Sequence, residues 1–402
     1  MLNTIILTLH FCFQKCFVWN TFGPIERSIR YAYPNWNADT VAMMANWGTI
    51  SFLLAVGPIC WILHTTNLRF ASILSCSLMT IGTLFRVITW SDPLIFLVFA
   101  HICSFLNGIT SVIVMAAPPA LTATWFPLHE RGIAISISQT VYAAGTGVSF
   151  LLGPKMVPDY FLNKTGETDH SRVVPLVNLN ETYPTRDEEK YLIWCYMLVM
   201  ALFSCFILLA MIIYFPPSPI SQLSISKSIN QTNIGFIESI MSLLKNRNTI
   251  LCLIGFSFST GVQQAWASVM TVNFAALEVD DKTTGYIGVS AIAANIVIGI
   301  LFGKLIDYQR KLIKWTLIGV LFVSTVAYVC LTLLVLKIVP YSLPQLYVAT
   351  ICGSGFVTAI TILFFEYTVE MSYPISEGIV GGLLTTGNNM VRLFSLWVID
   401  LN

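Results

Sequence analysis

Apolar and polar residues alternate along the chain in long blocks, and most charged residues fall in the short segments between the apolar blocks. Hydrocarbon offers the backbone no hydrogen-bond partner, so a chain crosses a membrane as a helix of about 20 mainly apolar residues. Counting such tracts therefore counts predicted membrane crossings. The pattern contains eleven tracts, at residues 4–22, 40–63, 68–90, 95–122, 133–156, 191–214, 249–274, 283–306, 312–336, 344–367 and 378–399.

Two polar segments interrupt this series. Residues 157–190 are rich in acidic side chains and carry N-glycosylation sequons at Asn163 and Asn180. Residues 215–248 open on "FPPSP" and end in "GFIESIMSLLKNR", which predicts a short interfacial helix. The predicted organisation is an amino-terminal bundle of six helices at 1–214, a cytosolic linker at 215–248 and a carboxy-terminal bundle of five helices at 249–402.

Composition agrees with a multi-pass membrane protein. Hydrophobic residues make up 56% of the chain and charged residues only 10%, whereas soluble domains carry about 25% charged residues. The net charge of +1 gives no reason to expect nucleic acid as a partner. The ten cysteines fall inside the apolar tracts, where packing is their expected role. No GxSxG, HExxH or phosphate-loop motif is present, so the sequence predicts no enzyme, no cofactor and no metal site.

The predicted orientation depends on the two sequons more than on basic residues, whose bias between the two sets of loops is weak. Glycosylation occurs on the lumenal or extracellular side. Placing the 157–190 loop on that side puts the amino terminus and the 215–248 linker in the cytosol.

A short hydrophilic hinge occurs twice. It reads "TWFPLHERGI" at 124–133 and "MSYPISEGIV" at 371–380. The prolines of the two hinges lie 247 positions apart, as do their glutamates and as do Trp19 and Trp266. "CWILH" at 60–64 corresponds to "GKLID" 243 positions later. The chain is therefore predicted to be two copies of one unit, and parallel repeats of this kind form transporters whose bundles rock about a site between them.

"GKLIDYQRK" at 303–311 resembles the motif that follows helices two and eight in the major facilitator superfamily. In that motif a glycine allows two helices to touch, and an aspartate and basic residues latch the cytosolic face. The first-half counterpart has His64 in place of the aspartate, so we expect the amino-terminal latch to be degraded or pH dependent. A narrower resemblance, to solute carrier family 49, is carried by "FVWNTFGPI" (17–25), "MAAPPALTATWFP" (115–127), "GTGVSFLLGPKMVPD" (145–159) and "FFEYTVEMSYPISEG" (364–378).

The resemblance implies an all-α polytopic membrane protein with the facilitator fold of two six-helix bundles. It also implies a secondary active transporter that moves a small organic solute across a lipid bilayer by alternating access. Haem, choline, ethanolamine and pyridoxine are solutes associated with the family. Similarity to a lysosomal member implies proton coupling, a lysosomal membrane and a pyridoxine-like vitamin as the leading solute, before a choline-like amine. Plasma-membrane location, haem export and a receptor or sensor that binds a solute without carrying it are the alternatives.

The chain departs from the resemblance at its end. Family members have twelve helices, whereas this sequence stops after its eleventh tract, so we expect the twelfth helix to be missing from it. Arg392 lies inside that last tract, where an isolated cation at the helix centre costs about 2.5 to 3.5 kcal/mol on insertion scales.

Polar and aromatic side chains inside the tracts are the candidates for solute binding, since a polar group at mid-depth is costly unless it faces a cavity or a partner. Two tryptophans at equivalent positions of the repeats could hold a flat ring or a cationic amine between them. Packing alternatives stand beside this interpretation, because membrane amides also pair neighbouring helices at about 0.6 kcal/mol and tryptophans also form interfacial belts. The candidates are Trp19, Asn20, Asn107, Gln139, Tyr142, Gln263, Gln264, Trp266, Asn388 and Asn389.

Proton coupling requires a titrating group, and a carboxyl group among apolar residues can take up a proton near neutral pH. Glu366, in the cytosolic third of the tenth tract, is the candidate; His10 and His101 are the alternatives within the tracts. Gate contacts that form in one conformation and break in the other are assigned to Glu130, Arg131, Gly303, Asp307, Arg310 and Glu377.

Overall fold

The structure of the chain is a computed structural model that describes residues 2–66, 68–88, 92–158, 185–216, 235–268, 270–275, 277, 279, 281–340 and 342–400. Within this part of the chain the regular elements are helical. The α-helices are α1 (Leu2–Trp19), α2 (Glu26–Ala32), α3 (Ala38–Thr65), α4 (Leu68–Ile88), α5 (Pro93–Ala116), α6 (Pro118–Trp125), α7 (Arg131–Met156), α8 (Arg186–Tyr214), α9 (Phe236–Lys245), α10 (Arg247–Ser268), α11 (Met270–Ala275), α12 (Asp281–Tyr308), α13 (Ile313–Val335), α14 (Leu343–Ser354), α15 (Val357–Met371) and α16 (Glu377–Asp400). We refer to α1–α8 as the first bundle and to α10–α16 as the second bundle.

Eight segments of the described chain are long and apolar enough to cross a membrane, so the predicted number of eleven crossings is not confirmed. Helices α1, α10 and α16 are not among the eight. Polar side chains such as Gln263 in α10 and Asn388 in α16 lower the hydropathy of these two helices. The eight segments are 39–65, 68–88, 93–116, 131–156, 186–214, 283–308, 310–335 and 343–371.

The helix bounds repeat along the chain as the duplicated hinge predicts. Helices α3 and α12 are both 28 residues long, and their first residues lie 243 positions apart. Helices α7 and α16 follow the two hinges and occupy equivalent places in the two repeats.

Several predicted boundaries were wrong. The first tract ends at Trp19 rather than at residue 22, and the expected loop after it contains a 3₁₀ turn and α2. The fourth tract is divided into α5 and α6 before Pro118, which lacks an amide proton and crowds the preceding turn. A turn at residues 355–356 likewise divides the tenth tract into α14 and α15. The predicted interfacial helix is present as α9, whereas Asn163 and Asn180 lie outside the described residues.

Three helix starts in the first bundle, those of α3, α5 and α8, are capped by nearby side chains. Asn37 accepts from the Thr40 amide at the start of α3, and Thr185 accepts from the Glu188 amide at the start of α8. The start of α7 differs, because no side chain of its own hinge caps it. Its cap comes from the second bundle, as described below.

Each bundle has two clusters of buried apolar side chains, one towards each end of its helices. In the first bundle they surround Phe52 and Tyr196, and in the second bundle they surround Phe364 and Phe274. Ile135 of α7 is fully buried in the Phe364 cluster. The bundles therefore share apolar packing at the end where α7 begins.

Candidate substrate site and gate

Helices α7 and α12 cross in direct backbone contact at Gly132 and Gly303. A Cβ atom at Gly132 would lie 2.7 Å from the Gly303 carbonyl oxygen, and one at Gly303 would lie 2.9 Å from the Gly132 carbonyl oxygen and overlap Ser136 Oγ. The Ser136 hydroxyl also donates across the crossing to the Gly299 carbonyl, at 2.9 Å. Both crossing positions therefore require glycine when the bundles are in contact.

Asp307 of α12 caps α7 from the opposite bundle. Its Oδ1 accepts from the Gly132 amide and its Oδ2 from the Ile133 amide, each at 2.8 Å. These amides are among the first of α7, which have no partner within their own helix, and a carboxylate there also interacts favourably with the helix dipole. A capping side chain of this kind contributes about 0.5 to 2 kcal/mol. The contact exists only while α7 and α12 touch, so it stabilises that arrangement of the bundles.

Charged side chains extend this crossing. Arg310 Nη2 lies 2.9 Å from Glu366 Oε2, and Glu366 is only 7% exposed. Arg131 is buried, interacts electrostatically with Glu366 and Glu377, and donates from Nη2 to the Ala123 carbonyl at 3.2 Å. We define the gate as Arg131, Gly132, Gly303, Asp307, Arg310, Glu366 and Glu377.

The structure gives the surroundings of two further predicted residues. Glu366, the proton-coupling candidate, lies inside this ionic cluster rather than apart from it. Glu130 has only its neighbour His129 as an ion-pair partner among the described residues, at 3.8 Å, and its side chain is 46% exposed.

Helices α3 and α16 form the equivalent second crossing. A Cβ atom at Gly378 would lie 2.6 Å from Leu63 Cδ2, and the Cys60 thiol lies 3.9 Å from the Gly378 carbonyl oxygen. His64 occupies the position equivalent to Asp307, but its ring lies 6.2 Å from that of Phe236 in the linker helix α9. Close helix contact is therefore common to both crossings, whereas the carboxylate cap belongs to the first.

Four side chains from three helices meet farther along the interface between the bundles. Lys15 Nζ lies 5.3 Å from the ring centroid of Trp19 and 5.2 Å from that of Tyr142, and Arg392 Cζ lies 5.5 Å from that of Trp19. At about 1.5 Å per residue, Lys15, Tyr142 and Arg392 are about 16 to 22 Å from the starts of α1, α7 and α16. We call Lys15, Trp19, Tyr142 and Arg392 the central cluster; it lies at mid-depth and takes residues from both bundles.

The central cluster contains two cations and no described acid. Lys15 is 3% exposed, and the titratable groups that act on it are Cys12, Cys16 and Arg392. Arg392 Nε is buried without a hydrogen-bond partner within the described chain. Each ring contact contributes about 0.5 to 2 kcal/mol, which is less than the insertion cost of about 2.5 to 3.5 kcal/mol for a lone cation. The two cations also repel each other, so the rings offset their burial only in part.

The predicted amides mainly join helices. Asn20 Nδ2 donates to Ser149 Oγ at 2.8 Å, which holds α1 against α7. Asn388 accepts from the Thr260 hydroxyl at 2.8 Å and lies 3.4 Å from Gln264 Oε1, which holds α16 against α10. These contacts favour the packing alternative for Asn20, Gln264 and Asn388.

The other four amide candidates have different surroundings. Gln263 donates to the Gly353 carbonyl at 2.9 Å within the second bundle, and Asn389 donates to Thr385 of its own helix. Asn107 donates to the Lys15 carbonyl at 3.4 Å, so it fixes α1 beside the central cluster. Gln139 is half-buried one turn before Tyr142.

The two equivalent tryptophans have different surroundings. Trp19 donates from Nε1 to the Ala45 carbonyl at 3.1 Å and presents its ring to the central cations. Trp266 packs edge-on against Phe274 and Tyr328, at 5.9 and 5.7 Å between centroids, in an apolar cluster of the second bundle. Of the pair, Trp19 is the one that the structure brings to the interface.

Two helical bundles joined by a gate at one end, with polar and aromatic side chains of both bundles meeting at mid-depth, are the architecture of a rocker-type membrane carrier. Comparison with known proteins agrees. The chain belongs to the Major Facilitator Superfamily, whose family model matches residues 11–396. The predicted fold class is thereby confirmed.

The relatives also agree with the resemblance to solute carrier family 49. The Solute carrier family 49 member 4 homolog of Xenopus laevis is 28% identical over 94% of this chain and 80% of its own length. The mouse choline/ethanolamine transporter FLVCR1 is 26% identical over 94% of this chain and 66% of its own length. The human choline/ethanolamine transporter FLVCR2 is 24% identical over 93% of this chain and 66% of its own length.

Solved structures share the fold at low sequence identity. The E. coli fucose:proton symporter FucP has a TM-score of 0.69 at 12% identity, over 99% of this chain and 91% of its own. The human organic anion transporter MFSD10 has a TM-score of 0.62 at 12% identity, over 98% of this chain and 92% of its own. Both similarities concern the arrangement of the helices.

Proposed function

We propose that the protein is a secondary active transporter that carries a small organic solute across a membrane by alternating access. The observation that carries this proposal is the gate, where glycine contacts and a trans-bundle cap join two bundles that also share the central cluster. Contacts of this type can form and break as a unit, because packed interfaces have discrete arrangements. Breaking them at one end gives the central cluster access to that side.

A pyridoxine-like vitamin is the leading solute and a choline-like amine the second. Relatives described as choline/ethanolamine transporters support an organic solute of this size. The two cations of the central cluster disfavour a permanently cationic guest, because like charges repel strongly where water is excluded. An aromatic ring can instead stack on Trp19 and Tyr142.

Proton coupling is proposed to act through Glu366. Its carboxylate pairs with Arg310 at 2.9 Å and helps to neutralise Arg131. A proton bound to Glu366 removes that negative charge and leaves less to offset the repulsion between the buried Arg131 and the partly exposed Arg310. The gate then loses a stabilising pair and gains a repulsion, so protonation favours its opening.

Uptake into proteoliposomes tests the transport proposal. The purified protein is reconstituted, and entry of labelled pyridoxine and choline is followed with and without an imposed pH gradient. Saturable flux of either solute that responds to the gradient is expected. Binding of a solute without flux would support a receptor or sensor instead. The proposed lysosomal location, which rests on the family resemblance, is tested by imaging the tagged chain beside a lysosomal marker.

Replacing Glu366 by glutamine is expected to remove the response of flux to the pH gradient. The amide keeps the shape of the side chain but holds no charge at any pH, so the gate no longer senses the proton. Flux is measured between pH 5 and 8 in reconstituted vesicles.

Glu370→Gln is the matched control, since Glu370 is exposed one turn farther along α15. It is expected to keep the wild-type pH profile. A Glu366→Gln protein with a normal profile would rule out Glu366 as the coupling residue.

A further inference from the structure

The central cluster has an unusual charge balance for the interior of a membrane protein. Lys15 on α1 and Arg392 on α16 come from different bundles and contact the same Trp19 ring. No hydrogen bond or ion pair joins either cation to an acid within the part of the chain that the structure describes. Charged side chains within a membrane normally face a pathway or pair with one another. Two like charges cannot pair, so neither cation offsets the charge of the other.

The geometry of the two groups suits an anion. Arg392 has a buried Nε without a hydrogen-bond partner, and the Nε side of a guanidinium can bind two oxygens of a carboxylate or phosphate at once. Lys15 adds a compact charge with three donors. Both cations stand over the face of Trp19 or Tyr142, so a ring attached to the anion would lie among aromatic side chains.

We propose that Lys15 and Arg392 together bind an anionic group, a carboxylate or phosphate, on the transported solute, while Trp19 and Tyr142 contact its ring. This inference rests on the proposed transport function and narrows its substrate class from small organic solutes to organic anions. Because the cations belong to different bundles, an anion between them neutralises their repulsion and draws the bundles together around the solute. Binding is thereby linked to the movement of the bundles.

Binding is tested with a series of compounds that share one ring and differ in charge. The probes are pyridoxine 5′-phosphate, 4-pyridoxate and pyridoxine, with choline as the cationic probe. Their effect on the melting temperature of the purified full chain in detergent gives the affinities. The phosphate, the carboxylate or both are expected to bind roughly tenfold or more tightly than pyridoxine, because a hydrogen-bonded ion pair is added. Comparing the phosphate probe with the carboxylate probe shows which of the two anionic groups the site prefers.

Lys15→Gln and Arg392→Gln are each expected to lower the ratio of the affinity for the preferred anion to the affinity for pyridoxine by roughly tenfold or more. Lys155→Gln and Arg247→Gln are the matched controls, because both side chains are exposed away from the cluster. They are expected to bind the anion as the wild type does. Anions that bind no better than pyridoxine or choline, or binding that survives both neutralising variants, would overturn the proposal.

The stability of the ligand-free variants separates binding from packing. If the cations are held for a ligand, removing one relieves their repulsion, and the melting temperature without ligand is expected to stay level or rise. A fall in melting temperature without a change in anion affinity would assign the pair to packing. Flux of each probe is measured in parallel. Flux of pyridoxine or choline without selectivity for anions would contradict this inference but not the transport proposal. Binding of anions without flux of any probe would contradict the transport proposal but not the binding of anions.

Discussion

Replacing Gly303 by valine is expected to abolish most solute flux while the protein remains folded in the membrane. The new Cβ would approach the Gly132 carbonyl oxygen to 2.9 Å and overlap Ser136 Oγ, but only in the conformation with the gate closed. Overpacking of this kind costs about 1 to 3 kcal/mol. Because this cost applies only to the closed conformation, it shifts the equilibrium between the closed and open gate by about 5- to 150-fold. A carrier that cannot close one end cannot complete its cycle.

A cysteine at the second crossing provides a reporter for this variant. Cys60 is buried beneath Gly378 at the second crossing between the bundles. We expect Gly303→Val to increase its labelling by a water-soluble maleimide, measured by mass spectrometry of the Cys60 peptide beside uptake in proteoliposomes. Gly285→Val is the matched control on the same helix, since a Cβ there meets no atom within 4 Å. Equal flux and equal Cys60 labelling in both variants would show that the crossing does not control access.

Replacing Trp19 by alanine is the second change with a large expected effect. The indole ring contacts both Lys15 and Arg392, and its removal takes away the stacking surface and both of these contacts. Losing one cation–aromatic contact costs about 0.5 to 2 kcal/mol, and here two are lost together with the contact to the solute. We expect flux to fall by roughly tenfold or more, with the amount of folded protein close to that of the wild type.

Trp266→Ala distinguishes this role from packing. Trp266 is partly buried and packs against an apolar cluster with Phe274 and Tyr328, and truncating a fully buried tryptophan costs about 3 to 5 kcal/mol, which is an upper bound here. Its expected result is a lower melting temperature and a smaller yield, measured by thermal unfolding of the purified protein. If flux falls only as much as the yield of folded protein in both variants, the two tryptophans do not differ in function.

The sequence predicted the residues at the crossing of α7 and α12 better than those of the central cluster. Gly303 and Asp307 lie in a motif whose spacing has a mechanical meaning, and the 247-residue repeat identified the hinge that α7 follows. Because such contacts lie where short polar segments meet helix ends, the pattern along the chain is enough to find them. The structure then supplies what the pattern lacks, namely that Asp307 bonds to the amides of Gly132 and Ile133.

The two aromatic residues of the central cluster, Trp19 and Tyr142, were among the predicted candidates, but its two cations were missed. Lys15 was not among the candidates, and Arg392 was interpreted only as a costly departure from an apolar tract. Each cation is isolated on its own helix, so nothing local shows that the two share one ring. A usable signal was present in the combination of two lone cations in separate tracts with no acid nearby in either.

Amide candidates illustrate a different limit. Asn20 and Asn388 are as polar as any binding residue, but their partners are Ser149 and Thr260 on neighbouring helices. Sequence separations of 129 and 128 residues divide these pairs. Helical periodicity gives the face on which a side chain lies, but it does not give the helix that this face meets.

The unequal ends of the two crossings have a consequence for tolerance to mutation. A duplicated chain with two carboxylate caps would have a spare, so that damage to one copy would be buffered by the other. Here Asp307 holds α7, whereas His64 faces Phe236. The cap at Asp307 therefore has no carboxylate counterpart at the equivalent position of the other repeat, so a substitution at Asp307 is not compensated there.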